Sequence, residues 1–203
     1  MKTADMPIIE LSGTPRERGR LYGETARTLI AAIIESWKAD LSNFTQSSVP
    51  ANTIDPDVYL NEFFSQTDYL SAIKKWTPDL LEEVKGIAEG SGQTFKNILG
   101  LQLMDEEWVF GLCRGLNKPT TKCTAFGVPD QVHGVSYAGQ NMDVPSWVEG
   151  KQVLLRVMAT ETSPEALIFS IAGSLGLNGL NANGLGVTCN TLTQLNYAID
   201  GLP

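Results

Sequence analysis

The sequence predicts an α+β protein, with helices first and strands second. Three observations carry that expectation. Apolar residues recur at helical spacing through residues 1–120, and short strand-like runs broken by glycine- and proline-containing turns follow Pro119. Successive strands lie about a dozen residues apart, which suits antiparallel meanders better than βαβ units. With 203 residues, 42% hydrophobic and 19% charged, the chain has the length and apolar content for a packed core.

Gly13-Thr-Pro-Arg-Glu-Arg-Gly-Arg20 and Leu21-Tyr-Gly-Glu24 form a basic, glycine-punctuated lead-in to the first helix, whose plain reading is a solvated helix start. Ala26, Leu29, Ile30, Ile33, Ile34, Trp37 and Leu41 then recur at helical spacing. A second helical stretch runs from Pro56 to Lys75, carrying Tyr59, Leu60, Phe63, Phe64, Tyr69, Leu70 and Ile73. A third begins at Thr77 as N-cap, with Pro78 at the first helical position and Asp79 in the first turn. It stops in Gly90-Ser-Gly92, a glycine termination. That run is not a phosphate loop, because no strand precedes it and no Gly-Lys-Ser/Thr follows. Thr94 caps a fourth helix through Leu103 and on towards Trp108.

The expected strands are Thr124–Val128, Val135–Gln140, Val153–Met158, Ala166–Ile171 and Leu185–Asn190. Val153-Leu-Leu-Arg-Val-Met158 hardly alternates, so burial on both faces is expected there. Asp200-Gly-Leu-Pro203 reads as a turn entering another strand, and a chain truncated inside a domain is expected.

A net charge of −8 with no visible basic patch argues against a nucleic-acid partner. The N-terminus lacks the apolar core of a signal peptide, and the nearly apolar run Leu29–Ile34 is too short to span a bilayer; no membrane association is expected, and the default compartment is cytoplasmic. Three cysteines, Cys113, Cys123 and Cys189, are too few and odd for a disulfide scaffold. The single His133 leaves a zinc site short of ligands and gives a Cys–His pair one candidate only. No metal or cofactor is expected.

Three segments carry residues with usable chemistry. Cys123 opens a strand directly after the turn-prone Asn117-Lys-Pro-Thr-Thr-Lys122. A cut at Lys122–Cys123 gives that residue a free α-amine, with an unperturbed pKa of about 7.7–8.0, which takes the thiol proton without an imidazole. The plainer reading of Cys123 is a small buried hydrophobe. Gly139-Gln-Asn-Met-Asp143 ends the next strand. A hairpin brings that end back to Cys123, where Asp143 can accept from the α-ammonium or steer the thiol and Asn141 can donate to substrate; the plainer reading is a turn. Gly179-Leu-Asn-Ala-Asn-Gly-Leu-Gly186 can aim backbone N–H groups at an oxyanion near Asn181, or be an ordinary hairpin turn. Cys189 reads as core, and Cys113 has no partner pattern.

Together these segments resemble the acyl-coenzyme A:6-aminopenicillanate acyltransferase family, within the N-terminal-nucleophile (Ntn) hydrolases. The resemblance rests on Gly13-Thr-Pro-Arg-Glu-Arg-Gly19 with Tyr22-Gly23, Leu81-Glu-Glu-Val-Lys-Gly-Ile-Ala-Glu-Gly-Ser-Gly92, Cys123-Thr-Ala-Phe126, Gly139-Gln-Asn-Met-Asp143, Gly179-Leu-Asn-Ala-Asn-Gly-Leu185 and Asn190-Thr-Leu192, in that order. Bile salt hydrolases, penicillin V acylases and ceramidase-like amidases are more distant relatives by the same resemblance.

The resemblance implies an αββα sandwich of antiparallel sheets, with residues 1–122 a helical propeptide or α-subunit and residues 123–203 the start of the β-subunit. It implies self-cleavage before Cys123, support of that nucleophile by Asp143, and an oxyanion contribution from the backbone near Asn181. The implied reaction is hydrolysis of a linear amide through a thioester on Cys123. An acyl-coenzyme A-dependent N-acyltransferase is the alternative, and an unprocessed binding protein of the same fold the second. The α and β fragments are expected to stay associated, with a homo-oligomer open. Two departures stand out. Relatives place a second oxyanion asparagine and a substrate-orienting arginine downstream of residue 203, and they often carry a smaller residue than Lys122 before the nucleophile.

Overall fold

The computed structural model describes residues 6–43, 54–116, 123–129, 132, 134–191 and 198–203. Thr14 caps helix α1 (Pro15–Thr25): its hydroxyl accepts from the Glu17 N–H, and the Glu17 carboxylate accepts from the Thr14 N–H. Helix α2 (Arg27–Ser42) follows and buries Ile30, Ile33, Ile34, Trp37 and Leu41, the stripe the spacing predicts.

The expected second helix is two, α3 (Pro56–Gln66) and α4 (Tyr69–Trp76). The break has a local cause. Asp68 takes the N-cap position of α4, and its carboxylate accepts from the Ser71 N–H. Helix α5 (Pro78–Ser91) ends at Gly92 in the left-handed region, as the glycine run predicts. Thr77 holds its N-cap position, but its hydroxyl turns back to donate to the Ile73 carbonyl. Thr94 caps α6 (Phe95–Gln102) by accepting from the Asn97 N–H, and a separate α7 (Met104–Cys113) starts past Leu103.

The lead-in read as a solvated helix start is instead a packing surface. Gly19 and Gly23 of α1 are buried against Gly86 and Gly90 of α5. A Cβ at Gly19 would overlap the Glu83 carbonyl oxygen, and one at Gly90 the Arg20 carbonyl oxygen, so the two backbones touch. Arg16 flanks this contact by pairing with Glu82 and Glu89, and Arg18 by pairing with Glu83 at 2.7 Å.

The strands are β1 (Ile8–Leu11), β2 (Cys123–Pro129), β3 (Ser136–Met142), β4 (Gln152–Val157), β5 (Ala166–Ile171), β6 (Asn178–Asn181) and β7 (Gly186–Val187). The larger sheet runs β1-β4-β5-β6-β7, and β2-β3 is a separate antiparallel pair. Every pairing is antiparallel except β1–β4, where Ile9 lies beside Leu155 and Leu11 beside Val157 in parallel. The N-terminal segment read as helical thus supplies an edge strand to the sheet. Strand β6 arises where only a turn was expected, and the expected Leu185–Asn190 shortens to two residues.

Strand β4 is not buried on both faces. Val153 and Leu155 are buried while Leu154 and Arg156 are partly exposed. One face of the sheet joins the helical stripe in a single core that includes Trp37, Ile87, Val153, Leu155 and Ile171. On the other face, Leu154, Leu167 and Phe169 line a cleft with Ala138, Gly139 and Gln140 of the β2–β3 pair. The architecture is therefore α+β, with helices on one side of a mixed sheet and a hairpin on the other.

Candidate active site

Cys123 is the first residue of β2 and Met142 the last of β3, and the two lie directly opposite each other. Directly opposed side chains share a face of the hairpin. Both line a cavity of about 160 Å³, and Asp143, the next residue after β3, lines it as well. The expected hairpin therefore places Cys123 and Asp143 on one cavity. Cys123 is partly exposed there, so its sulfur is neither locked in a core nor fully in solvent.

Gln140 ties this end of the hairpin to the segment that follows β7. Its amide nitrogen donates to the Cys189 carbonyl, and its side-chain oxygen accepts from the Cys189 N–H at 3.0 Å. Cys189, read as core from the sequence, is exposed and lines the same cavity as Cys123.

The rest of the wall comes from the helical half. Trp37 and Leu41 of α2 meet Met104 and Trp108 of α7, Trp147 and Val148 of a 3₁₀ turn, and Ile171 at the end of β5. Three of the four tryptophans of the chain therefore surround one space, with Trp76 elsewhere. Large aromatic rings around a concave apolar space are the usual lining of a small-molecule site. The clustering of a rare residue type was the one sequence signal available, but the three positions lie far apart in the chain.

Acidic side chains stand between these rings. The Trp147 indole N–H donates to Asp40 at 3.0 Å, and the Thr191 hydroxyl donates to Asp105 at 2.7 Å. Glu107, 3% exposed, accepts a 2.6 Å hydrogen bond from the Tyr59 hydroxyl. Burial of the neighbouring Glu106 pushes its carboxyl above the usual carboxylate range.

The other sequence candidates lie apart from this cavity. Asn141 pairs with Thr124, one position out of step with Cys123, so alternation sends it to the opposite face of the hairpin. Asn181 ends β6, and its side-chain oxygen accepts from the N–H groups of Asn183 and Leu185, closing the β6–β7 turn around Gly184. It lines a different cavity, with Ala166, Ile168 and Val187. Lys122 and His133 lie outside the described residues. Among the described residues no group of three or more His, Cys, Asp or Glu is placed to hold a metal ion, and no helix is long and apolar enough to cross a membrane.

No protein-family model matches the chain, and no curated protein matches it either.

Proposed function

We propose that the chain is a self-processing cysteine amidohydrolase of the Ntn type, with Cys123 as nucleophile. The observation that carries this reading is the Cys123–Met142 register. It sets a partly exposed thiol and the Asp143 carboxylate on one apolar cavity, at the first position of a strand. The helix layer, the mixed sheet and the hairpin on its far face supply three layers of an αββα arrangement.

In the precursor, the Cys123 thiol attacks the Lys122 carbonyl, an N→S acyl shift forms a thioester, and water hydrolyses it. The C–N bond breaks and the nitrogen becomes the free α-amine of Cys123. That amine then takes the thiol proton, and the thiolate attacks the substrate amide. Asp143 accepts from the α-ammonium so formed. Backbone donors at an oxyanion are worth about 3 kcal/mol each in the transition state. Because Asn181 lines another cavity, this reading gives it a role in the β6–β7 turn. The amine returns its proton to the leaving nitrogen. Water resolves the acyl-enzyme, or an acceptor amine does so if the protein is an acyltransferase.

The test is denaturing electrophoresis and mass spectrometry of wild type and Cys123→Ala. Wild type is expected to yield a fragment beginning at Cys123, and Cys123→Ala an intact chain. Equal fragmentation of both overturns the reading.

A further inference from the structure

We infer that Cys123 and Cys189 form a reversible redox pair, whose disulfide closes across the cavity and withdraws the Cys123 thiol. The inference goes beyond the amidohydrolase reading and does not depend on it.

The hairpin register sets the geometry. Cys123 pairs with Met142, and Ala125 with Gln140. Side chains alternate along a strand, so these four share one face, and Gln140 is the diagonal neighbour of Cys123, about 7–8 Å away. From that position the Gln140 side chain holds Cys189 by both backbone groups, donating to its carbonyl and accepting from its N–H at 3.0 Å. Two bonds to one residue fix its orientation as well as its place, as a neighbouring strand would. Cys189 is thereby seated at the face that carries Cys123, and both residues line one cavity.

Both sulfurs are free thiols within reach of a small oxidant, Cys123 partly exposed and Cys189 exposed. A disulfide needs its two Cβ atoms about 3.8 Å apart. The register holds Cys123, but residues 188–191 belong to no helix or strand, so Cys189 can close on it without breaking a ladder. The third cysteine, Cys113, ends α7 and does not line the cavity.

The oxidant is hydrogen peroxide. One thiolate attacks a peroxide oxygen, the O–O bond breaks, and a sulfenic acid and hydroxide form. The other thiolate attacks that sulfur, the S–O bond breaks, and a second hydroxide leaves as the S–S bond forms. The two hydroxides take up the two thiol protons as water. The sulfurs lose two electrons and the peroxide gains them. A dithiol reductant restores both thiols by exchange. While the bond stands, Cys123 has no thiolate to attack a carbonyl.

The test uses the full chain carrying Cys113→Ala, so that two thiols remain. Folded protein and protein unfolded in urea are each treated with hydrogen peroxide, blocked with iodoacetamide, digested without reductant and read by mass spectrometry. The expected product is a Cys123–Cys189 link within one chain, formed at least about tenfold faster in the folded protein and lost in dithiothreitol. No link, a link between chains only, over-oxidation of Cys123 beside a free Cys189, or equal rates folded and unfolded overturns the inference. Self-cleavage followed on the same samples keeps the two readings apart. A link in a chain that never cleaves supports the redox pair and counts against the hydrolase reading. Cleavage without a link overturns the pair and leaves the hydrolase reading standing.

Discussion

The phenolic oxygen of Tyr22 in α1 accepts a 2.8 Å hydrogen bond from the backbone N–H of Gly173, just past the end of β5. The same hydroxyl donates to the Ile171 carbonyl at 3.2 Å. Tyr22 is buried, and burial pushes its phenol well above the ordinary tyrosine value, so it stays protonated and able to donate. One side chain thus fastens the N-terminal helix to the strand end that lines the cavity through Ile171.

Tyr22→Phe strands the buried Gly173 N–H, while the Ile171 carbonyl keeps the Ser174 N–H and the Ser170 hydroxyl as donors. The expected loss is about 1–3 kcal/mol, the cost of leaving buried polar groups unpaired. Urea unfolding followed by circular dichroism reads it as a lower midpoint at unchanged slope. An unchanged midpoint counts against the fastening role.

Gly86→Ala should destabilise despite improving helix propensity. The new Cβ would overlap the Arg16 carbonyl oxygen and stand 2.7 Å from the Arg20 nitrogen, so α1 and α5 must part. Overpacking of this kind costs about 1–3 kcal/mol, more than the propensity gain of about 1 kcal/mol. Gly92→Ala is the control. Nothing lies within 4 Å of its Cβ, and only the left-handed φ of 73° is strained. Thermal melts should place both variants below wild type, Gly86→Ala through the helix contact and Gly92→Ala through its φ alone.

Asp143 is exposed and makes no hydrogen bond or ion pair among the described residues, which leaves it available to the proposed nucleophile. Asp143→Asn is expected to lower kcat/KM by at least about tenfold, while stability stays within about 0.5 kcal/mol, as for other surface changes. Activity assays with parallel melts separate the two effects. Unaltered activity removes Asp143 from the site.

Glu106 gives a pH dependence whose sign follows from burial. Desolvation raises its folded-state pKa above the unfolded value, with Asp105 adding to the rise. The folded state then holds the proton more tightly, so this group's contribution to stability falls as pH rises through the window just above the usual carboxylate range. Glu106→Gln should melt higher than wild type at pH 7, and the advantage should vanish at about pH 3, below the unfolded pKa, where both states are protonated. A constant difference at both pH values counts against the burial account.

Local signals in the chain were enough for the helices that precede all strands but β1, the cap at Thr94, the stop at Gly92 and the hairpin that brings Asp143 to the same cavity as Cys123. Each depends on residues a few positions apart, whose geometry the backbone fixes without distant help. The hairpin also carried the site, because pairing Thr124–Val128 with Val135–Gln140 dictates what lies at its open end.

Tertiary structure alone decided the rest. Strand β1 has four residues and no local partner, and it forms only because β4 offers an edge more than a hundred positions later, where Arg156 reaches Glu10. The glycine spacing on α1 and α5 became a close contact only once the two helices met. Three tryptophans and four acids became one cavity only after the sheet and helices had packed. No short stretch of sequence encodes that convergence, because it is a property of long-range burial rather than of backbone preference.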